Sequence, residues 1–273
     1  MKRPNKRSIC LACAIAGIIL LATYELLGLG GILLGDADED LGYLADMTVT
    51  RALGGGIFLA MLINLGYKVL GGAKSPSGKM LLWCLPAFAV AVNNFPFSQI
   101  IKGGAVIDAP AWRIALLALE CLCIAFFEEV AFRGVVLMGL IKRKPESRLW
   151  VFLSILISSV IFGIIHLINL YNSSPIAVLM QIGYSALIGA MCSVVIIKTA
   201  NIWLCVVLHG IFNFGGAVVQ YCGRGEIWDT FTVAFTAILA VLVTVYMVIS
   251  FLRADLCVID GIYRVKMAKN DNE

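Results

Sequence analysis

The sequence predicts an all-α fold: a polytopic transmembrane helix bundle of about eight spans with a buried polar cavity. Three observations predict it. Of 273 residues, 61% are hydrophobic and 14% charged, with a mean hydropathy of +0.95; soluble domains sit near half apolar and about a quarter charged. Apolar runs of about 20 residues, the length that crosses a hydrocarbon core, recur along the chain. Lys and Arg concentrate in alternate connections, as the positive-inside rule demands. An ordinary soluble enzyme would need more surface charge than this, and disorder and collagen-like repeats fail on composition. The net charge of +4 needs no nucleic acid to explain it.

The first run, 8–34, follows a basic start at Met1–Arg7. A cleaved signal peptide begins this way, but the run continues to about Leu34 without a small-x-small cleavage site. A retained first span is expected. Further runs lie at 52–71, 80–98, 112–140, 149–171, 175–197, 201–221 and 229–252. The third is the weakest, because Asn93 and Asn94 fall inside it. The connections are short and carry turn formers, as in Lys74–Lys79 and Lys142–Arg148. No internal repeat, low-complexity tract or domain-separating linker is visible.

With the N-terminus inside, most of the 21 Lys and Arg fall in inner segments, from Lys2, Arg3, Lys6 and Arg7 to Arg253, Arg264, Lys266 and Lys269. The outer segments keep Arg51, Lys102, Arg113 and Arg224, beside the acidic stretch 36–40. Eight spans with both termini cytoplasmic satisfy this asymmetry; an odd number would spoil it. Of the nine cysteines, Cys10, Cys13, Cys84, Cys121, Cys123, Cys192 and Cys205 lie in apolar runs, where Cys acts as a small hydrophobe. Cys10 and Cys13 have Cys-x-x-Cys spacing but no βαβ context for a redox role.

Ionisable groups inside a bilayer cost at least about 2.5–3.5 kcal/mol each at the helix centre. The fourth run nonetheless contains Phe127-Glu-Glu-Val-Ala-Phe-Arg-Gly134, which puts Glu128, Glu129 and Arg133 at intramembrane depth. The chain has two histidines, His166 and His209, and both fall inside apolar runs. Glu129 and Arg133 are four apart, the better orientation for a helical ion pair. Glu128 is rotated by about 100° and is the carboxylate left to act as a general base. Phe162 and His166 are four apart, as are His209 and Asn213, while Gly210, Gly215 and Gly216 permit close helix approach. Counted from the inner ends, Glu128, His166, His209 and Asn213 reach similar depth.

These residues carry a resemblance. Glu-Glu-x-x-x-Arg at 128–133, Phe-x-x-x-His at 162–166 and His-x-x-x-Asn at 209–213 occur in order on three apolar runs. The sequence resembles the CPBP family of intramembrane proteases, also called the Abi or CAAX-protease-and-bacteriocin-processing family, over roughly residues 115–216. The resemblance implies an endopeptidase with an Abi-like core at 112–221, preceded by a three-span region at 1–111 and followed by a last span and cytoplasmic tail at 222–273. It implies that Glu128 and His166 activate water, that His209 and Asn213 stabilise the oxyanion, and that Glu129 and Arg133 support them, with Phe162 as packing. The implied partners are the lipid bilayer and a peptide or protein substrate, with a prenylated tail or a bacteriocin or signal-peptide precursor as candidates.

A metal is left open. His166, His209 and Glu128 could hold zinc with one position free. Against this, His-Glu-x-x-His is absent and no histidines sit at i, i+4; glutamate-type chemistry without a metal uses every motif residue. Blander accounts also stand. Glu129–Arg133 is well explained as a helix-locking ion pair, Glu120 and Glu25 as interfacial groups near the outer ends of their runs, and Asn93 and Asn94 are not assigned to the site. A non-catalytic scaffold or immunity factor is the main alternative function, and a proton-coupled transporter the next. Short loops and compact length fit a bacterial plasma-membrane protein.

Overall fold

The computed structural model describes residues 15–20, 23, 24, 39–71, 82, 84–144, 147–171 and 173–252. Helices dominate. In order they are α1 (Glu39–Leu65), α2 (Leu85–Asn93), α3 (Phe97–Lys102), α4 (Ala111–Glu129) running into a π-helical stretch (Val130–Leu137), α5 (Met138–Ile141), α6 (Arg148–Ile164) with a 3-10 extension (Ile165–Tyr171), α7 (Pro175–Thr199), α8 (Ile202–Cys222) and α9 (Thr230–Leu252). Two three-residue strands, β1 (Ala105–Ile107) and β2 (Gly223–Gly225), pair antiparallel, with Val106 opposite Arg224.

Among the described residues, five helical stretches are long and apolar enough to cross a membrane: Asp40–Leu65, Arg148–Tyr171, Pro175–Thr199, Ile202–Cys222 and Thr230–Leu252. The last four fall within a residue or two of the expected runs, and their ends are chemically marked. Ser147 accepts from the Trp150 amide and caps α6; Ser174 accepts from Ala177 and caps α7, with Pro175 in the first turn. Those are the preferred residues at such positions.

The first half departs from expectation. Most of run 8–34 lies outside the described residues; 15–20 and 23–24 within it are helical. The second run starts 13 positions too late, for the helix begins at Glu39 rather than Ala52. Its first turn carries Asp40, favourable against the helix dipole, and Asp40 accepts from Arg113 at 3.1 Å. Arg51, expected in an outer connection, therefore sits in mid-helix. At the other end Gly66 takes φ 72° and donates to the Leu62 and Ile63 carbonyls, a left-handed stop that favours glycine. The third run is broken: α2 has 9 residues, about 13.5 Å, and the chain turns at Asn94–Pro96 before α3. The fourth run is one continuous helical stretch through Ile141, but Arg113, Glu120, Glu128, Glu129 and Arg133 make it more charged than the five apolar spans.

The chain forms two units. The first comprises Met1–Gly66, Ala91–Ala131 and Val206–Val233; the second comprises Tyr67–Val90, Phe132–Cys205 and Ala234–Glu273. In the first, Leu44, Leu117, Cys121, Val218, Val219 and Cys222 make a buried core, with Ala105 of β1 beneath it. Its rim is polar. Asp229 caps α9 by accepting from the Thr232 amide and hydroxyl, and it also accepts from Ser98 and pairs with Lys102. In the second, α6 packs on α7: a Cβ at Gly163 would lie 2.9 Å from the Ile182 carbonyl oxygen. The buried cysteines at 84, 121, 192 and 205 form no disulfide, in keeping with their hydrophobic reading, and neither does buried Cys222.

Candidate active site

In the first unit the site is assembled from α4 and α8. These helices touch where α8 carries glycine; a Cβ on Gly210 would lie 2.7 Å from Leu122 Cδ2. That close approach brings His209 onto the C-terminal end of α4. His209 Nδ1 lies 2.8 Å from Glu129 Oε1, and Nε2 lies 3.6 Å from Glu128 Oε2. Both carboxylates of the Glu-Glu pair thus face one imidazole. Glu129 is fully buried and His209 4% exposed, whereas Glu128 is half-buried. Only the His209 N–H can donate to an ionised carboxylate, so Glu129 holds Nδ1 and leaves Nε2 facing Glu128.

Asn213 lies one turn further along α8 and is half-buried. Its turn is anchored from the break after α2. Asn94 Nδ2 donates to the Phe212 carbonyl at 2.7 Å. Glycine makes room for this: a Cβ on Gly215 would meet the Phe95 amide nitrogen at 2.8 Å, and one on Gly216 would meet Asn94 Nδ2 at 2.7 Å. Asn94 was visible in the sequence as a polar residue inside an apolar run, and its contact gives it a definite place against the His-Gly-Ile-Phe-Asn turn.

On the opposite side of α4, α1 presents Arg51, Gly55 and Phe58. The Arg51 guanidinium stands 5.3 Å from the Phe127 ring centroid, and Phe58 meets the same ring edge-on at 5.6 Å. Gly55 seats Phe126, whose ring lies 2.4 Å from where a Cβ would be. The i, i+4, i+7 spacing of these three residues is the sequence signal that could have found this contact. Glu120, two turns before Glu128, is 5% exposed, with Cys121 Sγ 3.4 Å from its carboxylate.

The second unit holds the other motif residues as a stack. Arg133 is 1% exposed, lies 4.3 Å over the Phe162 ring and donates Nε to the Gly189 carbonyl at 3.4 Å. Gly189 is needed there, because a Cβ would lie 2.6 Å from Arg133 Nη2. Phe132 tilts against Phe162, and His166 meets it edge-on with centroids 5.2 Å apart. His166 is the second residue of the 3-10 turn after α6, and its Nδ1 donates to the Phe162 carbonyl at 2.9 Å. A carbonyl can only accept, so a neutral His166 carries its lone pair on Nε2.

Donors for a metal can be tested against this geometry. His209 Nε2 and Glu128 Oε2, 3.6 Å apart, could both reach one zinc ion with bonds of about 2.0–2.2 Å. Glu129 on Nδ1 is the outer carboxylate that zinc-bound histidines commonly have. The residues therefore fit a zinc ion as far as these two donors go.

With its apolar helices the chain is an integral membrane protein. No curated protein and no solved structure matches it. Residues 110–215, which include every motif residue above, match the family model described as Type II CAAX prenyl endopeptidase Rce1-like, an assignment that implies a protease acting on a peptide or protein and is consistent with the CPBP family.

Proposed function

We propose that the chain is an intramembrane endopeptidase that hydrolyses a peptide bond with water activated by Glu128. The observation that supports this most is the convergence of Glu128 and Glu129 on the two nitrogens of His209, at 3.6 and 2.8 Å, in a buried setting. Structural packing needs one counter-charge per buried ion; two carboxylates on one imidazole are an arrangement for moving protons.

The proposed steps give each residue one role. Glu128, the more accessible carboxylate, takes a proton from water as its oxygen attacks the scissile carbonyl. His166 keeps Nδ1–H on the Phe162 carbonyl and has Nε2 as an acceptor; its share in activating water is carried by the motif match alone. His209 as an imidazolium donates Nδ1–H to Glu129 and Nε2–H to the developing oxyanion, with the Asn213 amide as second donor. Removing one such donor commonly costs about 10²–10³ in kcat. When the tetrahedral intermediate collapses, the C–N bond breaks and Glu128 returns its proton to the leaving amine. Zinc held by Glu128 and His209 would supply Lewis-acid polarisation of the carbonyl.

The same proposal includes eight spans with both termini in the cytoplasm, carried by the Lys and Arg distribution, and a bacterial plasma membrane, carried by the short loops and compact length. It admits a prenylated C-terminal tail or a bacteriocin or signal-peptide precursor as substrate. The test compares peptide termini in membrane and secreted fractions of host cells carrying the wild-type chain or Glu128→Gln. Termini that vanish in the variant are expected and would name the substrate. Identical termini in both cultures would overturn the protease reading in favour of a scaffold. Chelation of the purified protein then separates the chemistries: retained cleavage is expected, and loss with rescue by zinc would assign the metal.

A further inference from the structure

Asn169 and Gln181 belong to no motif, yet they lie in two of the five membrane-length stretches, Arg148–Tyr171 and Pro175–Thr199. Both are in the second unit. Asn169 stands in the 3-10 extension of α6, and Gln181 stands about 9 Å into α7; the two elements pack on each other. Asn169 Nδ2 donates to Gln181 Oε1 at 2.8 Å. The surroundings of this bond are apolar. Ile168 and Tyr171 beside Asn169, and Leu179 and Met180 beside Gln181, are exposed, whereas both carboxamides are half-buried. The change of helix type sets the alignment. Side chains three apart eclipse on a 3-10 helix, so Asn169 stands in line with His166, whose Nε2 is the acceptor left by its contact with the Phe162 carbonyl.

The pair has more hydrogen-bonding capacity than its mutual bond uses. A carboxamide carries two donor hydrogens and one acceptor oxygen. The bond between them takes one hydrogen of Asn169 and one lone pair of Gln181. Asn169 Oδ1 and the Gln181 Nε2 hydrogens meet no partner among the described residues. A clamp between two helices needs only the mutual bond, and polar groups left over in an apolar seam are costly. An extended peptide has the complementary need. Unwinding strips its N–H and C=O groups of their helical partners where little water replaces them. An acceptor beside a donor is what a strand edge presents to an added strand.

We propose that Asn169 and Gln181 form a subsite for the substrate backbone. Asn169 Oδ1 accepts the N–H of one substrate residue, and Gln181 Nε2 donates to the C=O of the same residue. The occupant is an extended peptide segment, held by its main chain and not by its side chains. The inference rests on the protease reading and adds the form in which the substrate is bound.

The test uses the full chain in liposomes and, as probe, the peptide whose cleavage is lost with Glu128→Gln. A series of the same peptide carries an ester in place of one backbone amide at a time, outside the scissile bond, which removes that N–H. In the wild-type chain one position is expected to raise KM about 3–10-fold with kcat unchanged. Asn169→Leu and Gln181→Met keep similar size without the hydrogen-bonding groups, and each should raise KM for the parent peptide about as much. Asn169→Leu should no longer respond to the sensitive ester. Unchanged KM in both variants, with a lowered temperature of unfolding, would reduce the pair to a helix clamp and overturn the proposal. An ester response in Asn169→Leu equal to that of the wild type would also overturn it. If neither variant accumulates, the wild-type series decides, and a series in which no ester raises KM overturns the subsite. Failure of the protease reading shows elsewhere: identical peptide termini with and without Glu128 would remove the substrate, and the inference with it.

Discussion

Glu128 and Glu129 in the first unit, and Arg133 in the second, belong to one six-residue motif but are held by different physics. The glutamates meet an ionisable partner: His209 faces both, at 2.8 and 3.6 Å. Arg133 lies on an aromatic face and donates to a backbone carbonyl. A group that faces another titratable group can exchange a proton with it. A guanidinium on a π-face cannot, and it serves to fix the ring beneath it. That ring, Phe162, in turn carries His166 on its edge and on its carbonyl. Under the proposed function, the first cluster carries the chemistry and the second the orientation.

The largest effect should come from the first cluster. Glu128→Gln preserves shape and removes the base, so cleavage should fall about 10²–10⁴-fold while the protein still reaches the membrane. His209→Ala should cost about 10²–10³-fold through the oxyanion. Both are read by rate per folded molecule. Equal activity in either variant would break the comparison.

The second cluster should respond in stability instead. Arg133→Ala removes one of the largest fully buried side chains, with a cavity and a lost cation–π contact, at about 3–5 kcal/mol. Folded protein in the membrane should drop sharply. Gly189→Ala should act in the same direction but less, by about 1–3 kcal/mol, because its Cβ would press on the movable end of the guanidinium and on Phe162 Cδ1 at 3.3 Å. Detergent thermal unfolding ranks the two. Normal stability with lost cleavage in Arg133→Ala would move Arg133 into the chemistry.

Why these clusters were so unevenly visible beforehand is a matter of period and polarity. Spans such as Pro175–Thr199 and Ile202–Cys222 are long, apolar and capped, and hydropathy finds them. The motif residues stand out because charge in an apolar run is expensive. The start of α1 did not stand out: Asp46 and Arg51 lowered the local hydropathy, although backbone bonding and packing on α4 keep the segment helical. The break at Asn94–Pro96 is hidden because Phe95, Phe97 and their neighbours remain apolar on both sides. The π-helical stretch after Glu129 leaves no trace in a window scored at 3.6 residues per turn.

A smaller effect tests whether the anchor beside Asn213 belongs with the chemistry. Asn94→Ala deletes the 2.7 Å bond to the Phe212 carbonyl. The acceptor keeps its place in the helix, so stability should fall by about 1 kcal/mol. If Asn213 donates to the oxyanion, kcat should fall several-fold with KM unchanged, since only the transition state uses that donor. An unchanged kcat would confine Asn94 to packing.

The smallest expected effect lies at the rim and calibrates what an exposed charge is worth here. Lys102, Thr232 and Ser98 all donate to Asp229 and hold its carboxyl well below the usual carboxylate range. The folded state therefore binds a proton less readily than the unfolded chain. Its stabilising contribution is complete above the ordinary Asp range, near pH 4, and is lost as pH falls toward the lower folded value. The protection of the Thr232 amide, which donates to Asp229 Oδ1 at 2.8 Å, should weaken along that same acid branch. Asp229→Ala should remove this pH dependence and fray the first turn of α9 at all pH values, while cleavage per folded molecule stays unchanged near neutrality. A loss of cleavage in Asp229→Ala equal to that in His209→Ala would show that the rim and the buried cluster act as one device, and the division between chemistry and support would have to be redrawn around the whole first unit.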